Sequence, residues 1–160
     1  EDAWQELTGL ADQAQTIKDQ LLLAIDDDTN AFNDYMEARR LPANTPEEKK
    51  IKEKAIQEGL KQAVMVPFNT ARLSFEALKI AERVVELGNV NSVTDAGVGA
   101  QIAFTGVRGG IFNVLINLPQ ISDKEFIDQM KNDCAAMEKE AAAVLEQTMK
   151  KVREIIEKLK

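Results

Sequence analysis

The chain has 160 residues, of which 29 % are charged and 5 % aromatic, with a net charge of -7 and no histidine. This length suffices for one domain with its own core, and the abundance of Ala, Leu, Lys and Glu predicts an α-helical protein. The acidic charge argues against nucleic acid as a partner, and the absence of histidine removes the commonest metal ligand and general base. Because the single Cys134 cannot form an internal disulfide, an intracellular, cytoplasmic setting is expected.

The first predicted helix runs from about residue 3 to residue 40 and ends before Pro42. Its apolar residues recur at helical spacing: Leu7, Ala11, Ala14, Ile17, Leu21, Ile25, Phe32 and Tyr35. Asp28 stands between Ile25 and Phe32 in this stripe. Helical periodicity therefore directs a carboxylate toward the core.

Asp28 belongs to the run Asp26-Asp27-Asp28, whose members repel one another. Burial and like charges both raise the pKa of a carboxyl group, and a carboxyl in such a setting can serve as a general acid or base. Two other interpretations remain open. Asp28 is a buried acid paired with a cation such as Arg108, or the stripe rotates and leaves Asp28 in solvent.

The second predicted helix spans residues 46–87. A capping box that starts at Thr45 opens it, and Gly88-Asn89 ends it. Pro67 lies inside this segment, so we expect the helix to kink or break just before it.

Basic residues flank the loop between the first two helices: Arg39, Arg40, Lys49, Lys50, Lys52 and Lys54. Such a run usually forms a solvated face. The alternative is a surface that binds the polyanionic tail of a ligand.

The third predicted helix, residues 93–118, begins at a second capping box, Ser92 to Asp95. It contains five of the chain's eight glycines and lacks a polar face. A helix that is apolar all round is surrounded by other helices, so we expect a buried central helix. Polar residues interrupt the segment too often for a membrane span: Gln101, Arg108, Asn113 and Asn117.

Four residues of this third helix share one face because their spacing is i, i+4, i+7 and i+11: Gly106, Gly110, Asn113 and Asn117. Glycine costs a helix roughly 1 kcal/mol relative to alanine and is kept where a backbone or a ligand must come close. The face therefore predicts a groove that ends in two carboxamides. Contact between helices, within the bundle or across a dimer, and contact with a ligand are both open.

The fourth predicted helix, residues 123–159, begins at a third capping box, Ser122 to Glu125. It carries one apolar stripe: Phe126, Met130, Cys134, Met137, Ala141, Leu145, Thr148, Val152, Ile155 and Leu159. No stretch of the sequence alternates like a strand. The predicted fold is all-α, a bundle of long antiparallel helices that forms a single domain over residues 1–160.

Four stretches resemble one enzyme family: DDDTNAFNDYMEARRLP, TPEEKKIKEKAIQEGLKQAVMVPF, GNVNSVTDAGVGA and FNVLINL. They are similar to the cyclodeaminase domain of formiminotransferase-cyclodeaminase, a family that includes stand-alone methenyltetrahydrofolate cyclohydrolases. The resemblance implies an all-helical, dimeric protein with a folate site near the dimer interface.

The activity that the resemblance implies is an ammonia-lyase reaction of histidine degradation. In it, 5-formiminotetrahydrofolate closes to 5,10-methenyltetrahydrofolate and releases ammonia, with no metal and no cofactor beyond the tetrahydrofolate substrate. The alternatives are methenyltetrahydrofolate cyclohydrolase activity and a helical interaction module without catalysis.

The resemblance also implies roles for particular residues. Two carboxylates would transfer the proton or orient the substrate: Asp28 and Asp26. Two carboxamides would bind the pterin or the intermediate: Asn113 and Asn117. The remaining positions would shape the adjoining loop or let folate or a partner subunit approach the backbone: Asn89, Asp95, Gly106 and Gly110.

In the family, a glycine-rich segment and a helix precede the region where this chain begins, and no stretch here is similar to them. We therefore expect the domain to lack that segment, which contributes to the folate site. The implied partners are a folate with or without a polyglutamate tail, a second copy of the chain, and a fused or separate formiminotransferase. Neither nucleic acid nor a membrane is expected.

Overall fold

The computed structural model describes residues 2–159 as four long helices joined by short links. They are α1 (Asp2–Arg40), α2 (Pro46–Leu87), α3 (Val93–Asn117) and α4 (Lys124–Lys158). Short 3₁₀ turns lie before and after α3, and residues 2–159 contain no strand. The predicted all-α bundle and the approximate bounds of its four helices are confirmed.

The centre of the bundle is α2, which packs against each of the other three helices. The main core lies where α2, α3 and α4 meet, and all three helices contribute to its most buried members: Val64, Ala71, Leu78, Ala100, Val107, Ile111, Val114 and Ala141. The main neighbour of α1 is α2, so one side of α1 is left without a covering helix.

The buried stripe of α1 differs from the predicted one. Its buried residues recur every seven positions: Ile17, Ala24, Ala31 and Ala38. Ile25 and Phe32, which were expected in the core, are 63 % and 61 % exposed. The small alanine side chains let α1 lie close against α2. Because the alanines face α2, the larger apolar side chains of α1 point outward. Asp28 is consequently exposed, so the prediction of a core-facing carboxylate is wrong and the rotated stripe is confirmed.

The expected break at Pro67 does not occur, because α2 is continuous over its 42 residues. Proline has no N–H to donate to the carbonyl four residues earlier, which is that of Ala63. The side chain of Asn117 donates to that carbonyl instead, with 2.9 Å between Nδ2 and the oxygen.

One of the three predicted capping boxes is present. Thr45 accepts from the Glu48 N–H, and the Glu48 carboxylate accepts from the Thr45 N–H. Ser92 makes no such bond, because it is the last residue of the 3₁₀ turn that runs directly into α3. At α4 the cap lies one residue later than predicted: Asp123 accepts from the Phe126 N–H at 3.1 Å. The hydroxyl and N–H of Ser122 are occupied by the side chain of Gln57.

The expectation that α3 is surrounded is wrong for one of its faces. One face packs on α2 and α4, and the opposite face exposes apolar residues at helical spacing: Val98, Ile102, Phe112 and Ile116. The segment Val90–Gln120 is long and apolar enough to cross a membrane, and 28 % of its apolar window is buried in the bundle. A core helix of a helical bundle passes the same test.

The stripe of α4 is confirmed over most of its length. Met130, Cys134, Ala141 and Val152 are buried, whereas Leu159 at its end is exposed. Burial, together with neighbouring acidic charges, raises the pKa of the Cys134 thiol to about 11. This cysteine is therefore a neutral, apolar member of the core at ordinary pH.

Candidate active site

Two adjoining depressions lie where α1 crosses α2 and α3. The first, here called the central groove, has a volume of ≈ 520 Å³ and lies between the Ile25–Thr29 part of α1 and the glycine-rich face of α3. The second, the end pocket, has a volume of ≈ 450 Å³ and reaches the C-terminal end of α3. Asp28 and Thr29 line both depressions, so this turn of α1 is the wall that they share.

The floor of the central groove is built by two glycines that let α3 touch α2. A Cβ atom at Gly110 would lie 2.6 Å from the Pro67 carbonyl oxygen, and one at Gly106 would lie 2.5 Å from the Ser74 hydroxyl. Both positions thus serve the contact between helices within the bundle, which is one of the two predicted explanations. Gly110 also lines the central groove, as does Gly106.

The two carboxamides lie in different depressions. Asn113 lines the central groove, where its Nδ2 donates to the Gly109 carbonyl of its own helix at 2.9 Å. Asn117 lines the end pocket, with its Nδ2 on the Ala63 carbonyl. Within residues 2–159, neither Oδ1 atom accepts a hydrogen bond. Both side chains therefore retain an acceptor for a ligand.

Asp28 is the only carboxylate among the residues that line the two depressions. In the described part of the chain it forms no salt bridge. The predicted pairing with Arg108 is wrong, because the guanidinium of Arg108 pairs with Glu138 of α4 at 3.0 Å and lies against the Phe112 ring. The Asp28 carboxylate is therefore open to a ligand that occupies either depression.

Three predicted site residues lie elsewhere. Asp26 precedes Asp28 by two residues, which places it about 200° around α1 and away from both depressions. Asp95 precedes Asn113 by eighteen residues of one helix, a separation of about 27 Å along the axis. Asn89 precedes Asp95 and is separated from Asn113 by even more residues. Its side chain accepts from the Asn91 N–H at 2.9 Å, which stabilises the turn before α3. The expectation that Asn89 and Asp95 lie beside the carboxamides is wrong within one copy of the chain.

Two contributors were not predicted as site residues. Thr29 lines both depressions beside Asp28, and its hydroxyl donates to the Ile25 carbonyl at 3.2 Å. Pro67 lines the central groove and frees the carbonyl that binds Asn117. In the sequence, the one feature that could have identified Thr29 as a site residue is its position next to Asp28. Pro67 was noticed only as a helix breaker, and its partner is distant in sequence.

Within residues 2–159, no three side chains of the His, Cys, Asp and Glu types come together as a metal site. The polar side chains that line the depressions are one carboxylate, the three carboxamides of Asn113, Asn117 and Gln120, and hydroxyl groups. Such a set can hydrogen-bond the N–H groups of a planar heterocycle, and the carboxylate can carry a proton.

Comparison with known proteins places the chain in a family. Residues 1–136 match the family described as formiminotransferase-cyclodeaminase. The chain belongs to this family. The predicted resemblance is therefore confirmed.

Among the family's relatives, the methenyltetrahydrofolate cyclohydrolase of Methylorubrum extorquens is 34 % identical over 148 residues, which are 92 % of this chain and 71 % of that protein. The formimidoyltransferase-cyclodeaminase of Mus musculus is 38 % identical over 122 residues, 76 % of this chain and 23 % of that protein. The chain thus spans less than a quarter of the length of that larger family member.

The fold is also that of a solved structure. The crystal structure of formiminotetrahydrofolate cyclodeaminase from Thermotoga maritima superimposes with a TM-score of 0.65 and 24 % identity, over 91 % of this chain and 66 % of that one. At this identity the likeness shows a shared helical fold.

Proposed function

We propose that this chain acts on the one-carbon group carried by tetrahydrofolate, and that its reaction is the cyclodeamination of 5-formiminotetrahydrofolate. The observation that carries the proposal is the position of Asp28, the single carboxylate on the wall between two depressions that offer the Asn113 and Asn117 carboxamides. Membership of the formiminotransferase-cyclodeaminase family supplies the substrate class.

The chemistry needs one group that moves a proton over a short distance. N10 of the folate attacks the carbon of the protonated formimino group on N5, which gives a tetrahedral carbon bearing an amino group. The N10 proton must then reach that amino group so that it leaves as ammonia, and 5,10-methenyltetrahydrofolate remains. In the proposal the Asp28 carboxylate accepts the proton from N10 and donates it to the leaving nitrogen, so no net proton is consumed.

The size and lining of the depressions suit a reduced pterin. Small-molecule sites commonly enclose about 300–1,000 Å³, mostly with apolar walls and a few polar anchors. The central groove falls within this range and combines apolar side chains such as Leu21 and Val66 with the polar groups of Asp28 and Asn113. In the proposal, the free Oδ1 atoms of Asn113 and Asn117 accept hydrogen bonds from N–H groups of the pterin or the intermediate.

Cyclohydrolase activity is the second candidate, and the extent of one match favours it. The cyclohydrolase of Methylorubrum extorquens aligns with 92 % of this chain and over 71 % of its own length. Water would attack the same methenyl carbon, and the same carboxylate would move the proton. Ammonia release distinguishes the two candidates, because only cyclodeamination produces it.

Of the two structural features expected for a helical interaction module without catalysis, one is absent and one is present. It predicts a salt-bridged Asp28, whereas this carboxylate forms no salt bridge within residues 2–159. It also predicts asparagine side chains bonded to helices, and both Nδ2 atoms are bonded to helix carbonyls. The unpaired Asp28 is what favours a catalytic role over this alternative.

A homodimer is part of the proposal. The exposed Ile25 of α1 lines the central groove and the exposed Phe32 lines the end pocket, and α3, which forms the other side of the groove, also carries an exposed apolar face. Exposed apolar faces of this kind mark interaction sites. We propose that a second copy of the chain covers them, which would withdraw water from the groove and strengthen the electrostatic effect of Asp28 on a bound cationic intermediate.

The test of the function uses the purified full chain and two substrates. With 5-formiminotetrahydrofolate, the absorbance of methenyltetrahydrofolate and the ammonia concentration are followed in parallel, and a second sample receives 5,10-methenyltetrahydrofolate alone. Equal rates for the two products in the first sample are expected. Hydrolysis of supplied methenyltetrahydrofolate without ammonia formation would move the assignment to cyclohydrolase, and inactivity with both would contradict the proposal.

A further inference from the structure

Pro67 and Asn117 are linked through one backbone carbonyl. In a helix, the Ala63 carbonyl would accept from the N–H of residue 67, but proline has none. The helix nevertheless continues, and Nδ2 of Asn117 stands 2.9 Å from the Ala63 oxygen. A side chain from α3 thus satisfies a bond that α2 cannot make for itself.

This bond determines which way the Asn117 amide faces. Its Nδ2 must point at the carbonyl, because the amide oxygen would repel it. Oδ1 is then left as the free atom of a side chain that lines the end pocket together with Asp28. Without the free Ala63 carbonyl, the amide would have no fixed partner in the described chain and could rotate.

Neighbouring contacts keep the end of α3 in reach of α2. Gly110 brings the two backbones together at Pro67. Beyond α3, Gln57 of α2 bonds the Gln120 carbonyl and the Ser122 N–H. Asn117 therefore lies between two anchored points, and the remaining freedom is that of its own side chain.

We propose that Pro67 is a positioning residue for the folate site: by leaving the Ala63 carbonyl free, it holds Asn117 so that Oδ1 accepts a hydrogen bond from an N–H group of the tetrahydrofolate substrate. This inference rests on the proposed function. It predicts that a residue with a backbone N–H at position 67 would stabilise α2 and weaken the binding of tetrahydrofolate.

The test is a double-mutant cycle with two separate readouts on the full chain. Pro67→Ala, Asn117→Ala and the double variant are compared with the wild type by urea unfolding and by the Kd for tetrahydrofolate. Asn117→Ala should lower the urea midpoint, since the Ala63 carbonyl loses its donor. Adding Pro67→Ala should raise the midpoint again, because the backbone N–H that the substitution restores at position 67 replaces the missing donor.

The Kd should behave differently from stability. Each single variant should weaken tetrahydrofolate binding by about tenfold, the equivalent of one hydrogen bond. The double variant should bind no better than Asn117→Ala, although its stability has recovered. The matched control is Pro42→Ala, an exposed proline in the loop after α1, which should leave the Kd unchanged.

Four outcomes would overturn the inference. Additive effects on the urea midpoint would show that residues 67 and 117 are not coupled. Recovery of the Kd in the double variant would show that Asn117 acts through stability alone. If the wild type binds tetrahydrofolate and Pro67→Ala binds it equally well, the positioning role is wrong while the proposed function stands; if the wild type binds none, both fail.

Discussion

At the scale of single residues, Gly110 determines how closely α3 packs against α2. The three atoms nearest to a Cβ at this position are the Pro67 oxygen and the Cβ and N of Ala71, at 2.6, 2.8 and 2.9 Å. Backbone atoms cannot move aside as the end of a long side chain can. The glycine is therefore kept for packing, at the cost of a weaker intrinsic helix.

Gly110→Ala should lower the free energy of unfolding by about 1–3 kcal/mol, the usual cost of overpacking a close contact. Gly9→Ala is the matched control, because nothing lies within 4 Å of a Cβ at that exposed helical position. This control should gain up to about 1 kcal/mol from helix propensity. Urea unfolding measures both variants, and equal effects of the two would contradict the packing argument.

At the scale of elements, Asp123 joins the start of α4 to α2. Its carboxylate accepts from the Phe126 N–H and pairs with Lys61 at 2.6 Å. The bond from Lys61, with the backbone N–H groups of the first turn of α4, lowers the pKa of Asp123 below its ordinary value of 3.8. The folded protein therefore favours the charged carboxylate more than the unfolded chain does.

Asp123→Asn should lower stability at pH 7, because the ion pair with Lys61 is lost while a side-chain oxygen for the cap remains. The contribution of the charge is present above the unfolded pKa, which is close to the ordinary value of 3.8, and is lost as the pH falls through the lower folded pKa. Urea midpoints of wild type and variant should thus converge below about pH 4. The exposed Asp128→Asn is the control, and a wild-type advantage that persists unchanged at pH 2 would contradict this assignment.

The helices were predictable because their end signals are local. Thr45 and Glu48 are three residues apart, and Pro42 acts on the residue before it. The rotation of α1 was not predictable in this way. Alanines at 24, 31 and 38 and the larger Ile25 and Phe32 offer two competing stripes, and the surface of α2 decides between them.

In the candidate site too, features that depend on local sequence were predictable and those that depend on contacts between distant residues were not. The shared face of Gly106, Gly110 and Asn113 followed from helical spacing alone, and the central groove confirms it. The bond between Asn117 and Ala63 joins residues 54 positions apart and depends on the missing N–H of Pro67, so no local pattern could reveal it. Asp26, Asn89 and Asp95 were included through the family resemblance, which carries no distances.

At the scale of the whole molecule, the proposed dimer has the exposed apolar face of α3 at its interface. Phe112→Glu and Ile116→Glu place a charge on that face and should convert a dimer to monomers in sedimentation velocity. Ile51→Glu is the matched control, since Ile51 is an equally exposed apolar residue of α2. A wild type that is monomeric at high concentration, or a dimer indifferent to both charges, would contradict the proposed interface.

The turnover of Asp28→Asn with 5-formiminotetrahydrofolate, compared with that of Asp27→Asn, tests whether Asp28 moves the proton. The two residues are adjacent and both exposed, but only Asp28 lines the depressions. If Asp28 moves the proton, its replacement should lower kcat by about 100-fold or more with an unchanged urea midpoint, and the control should keep wild-type turnover. Equal turnover in the two variants would contradict catalysis at this site.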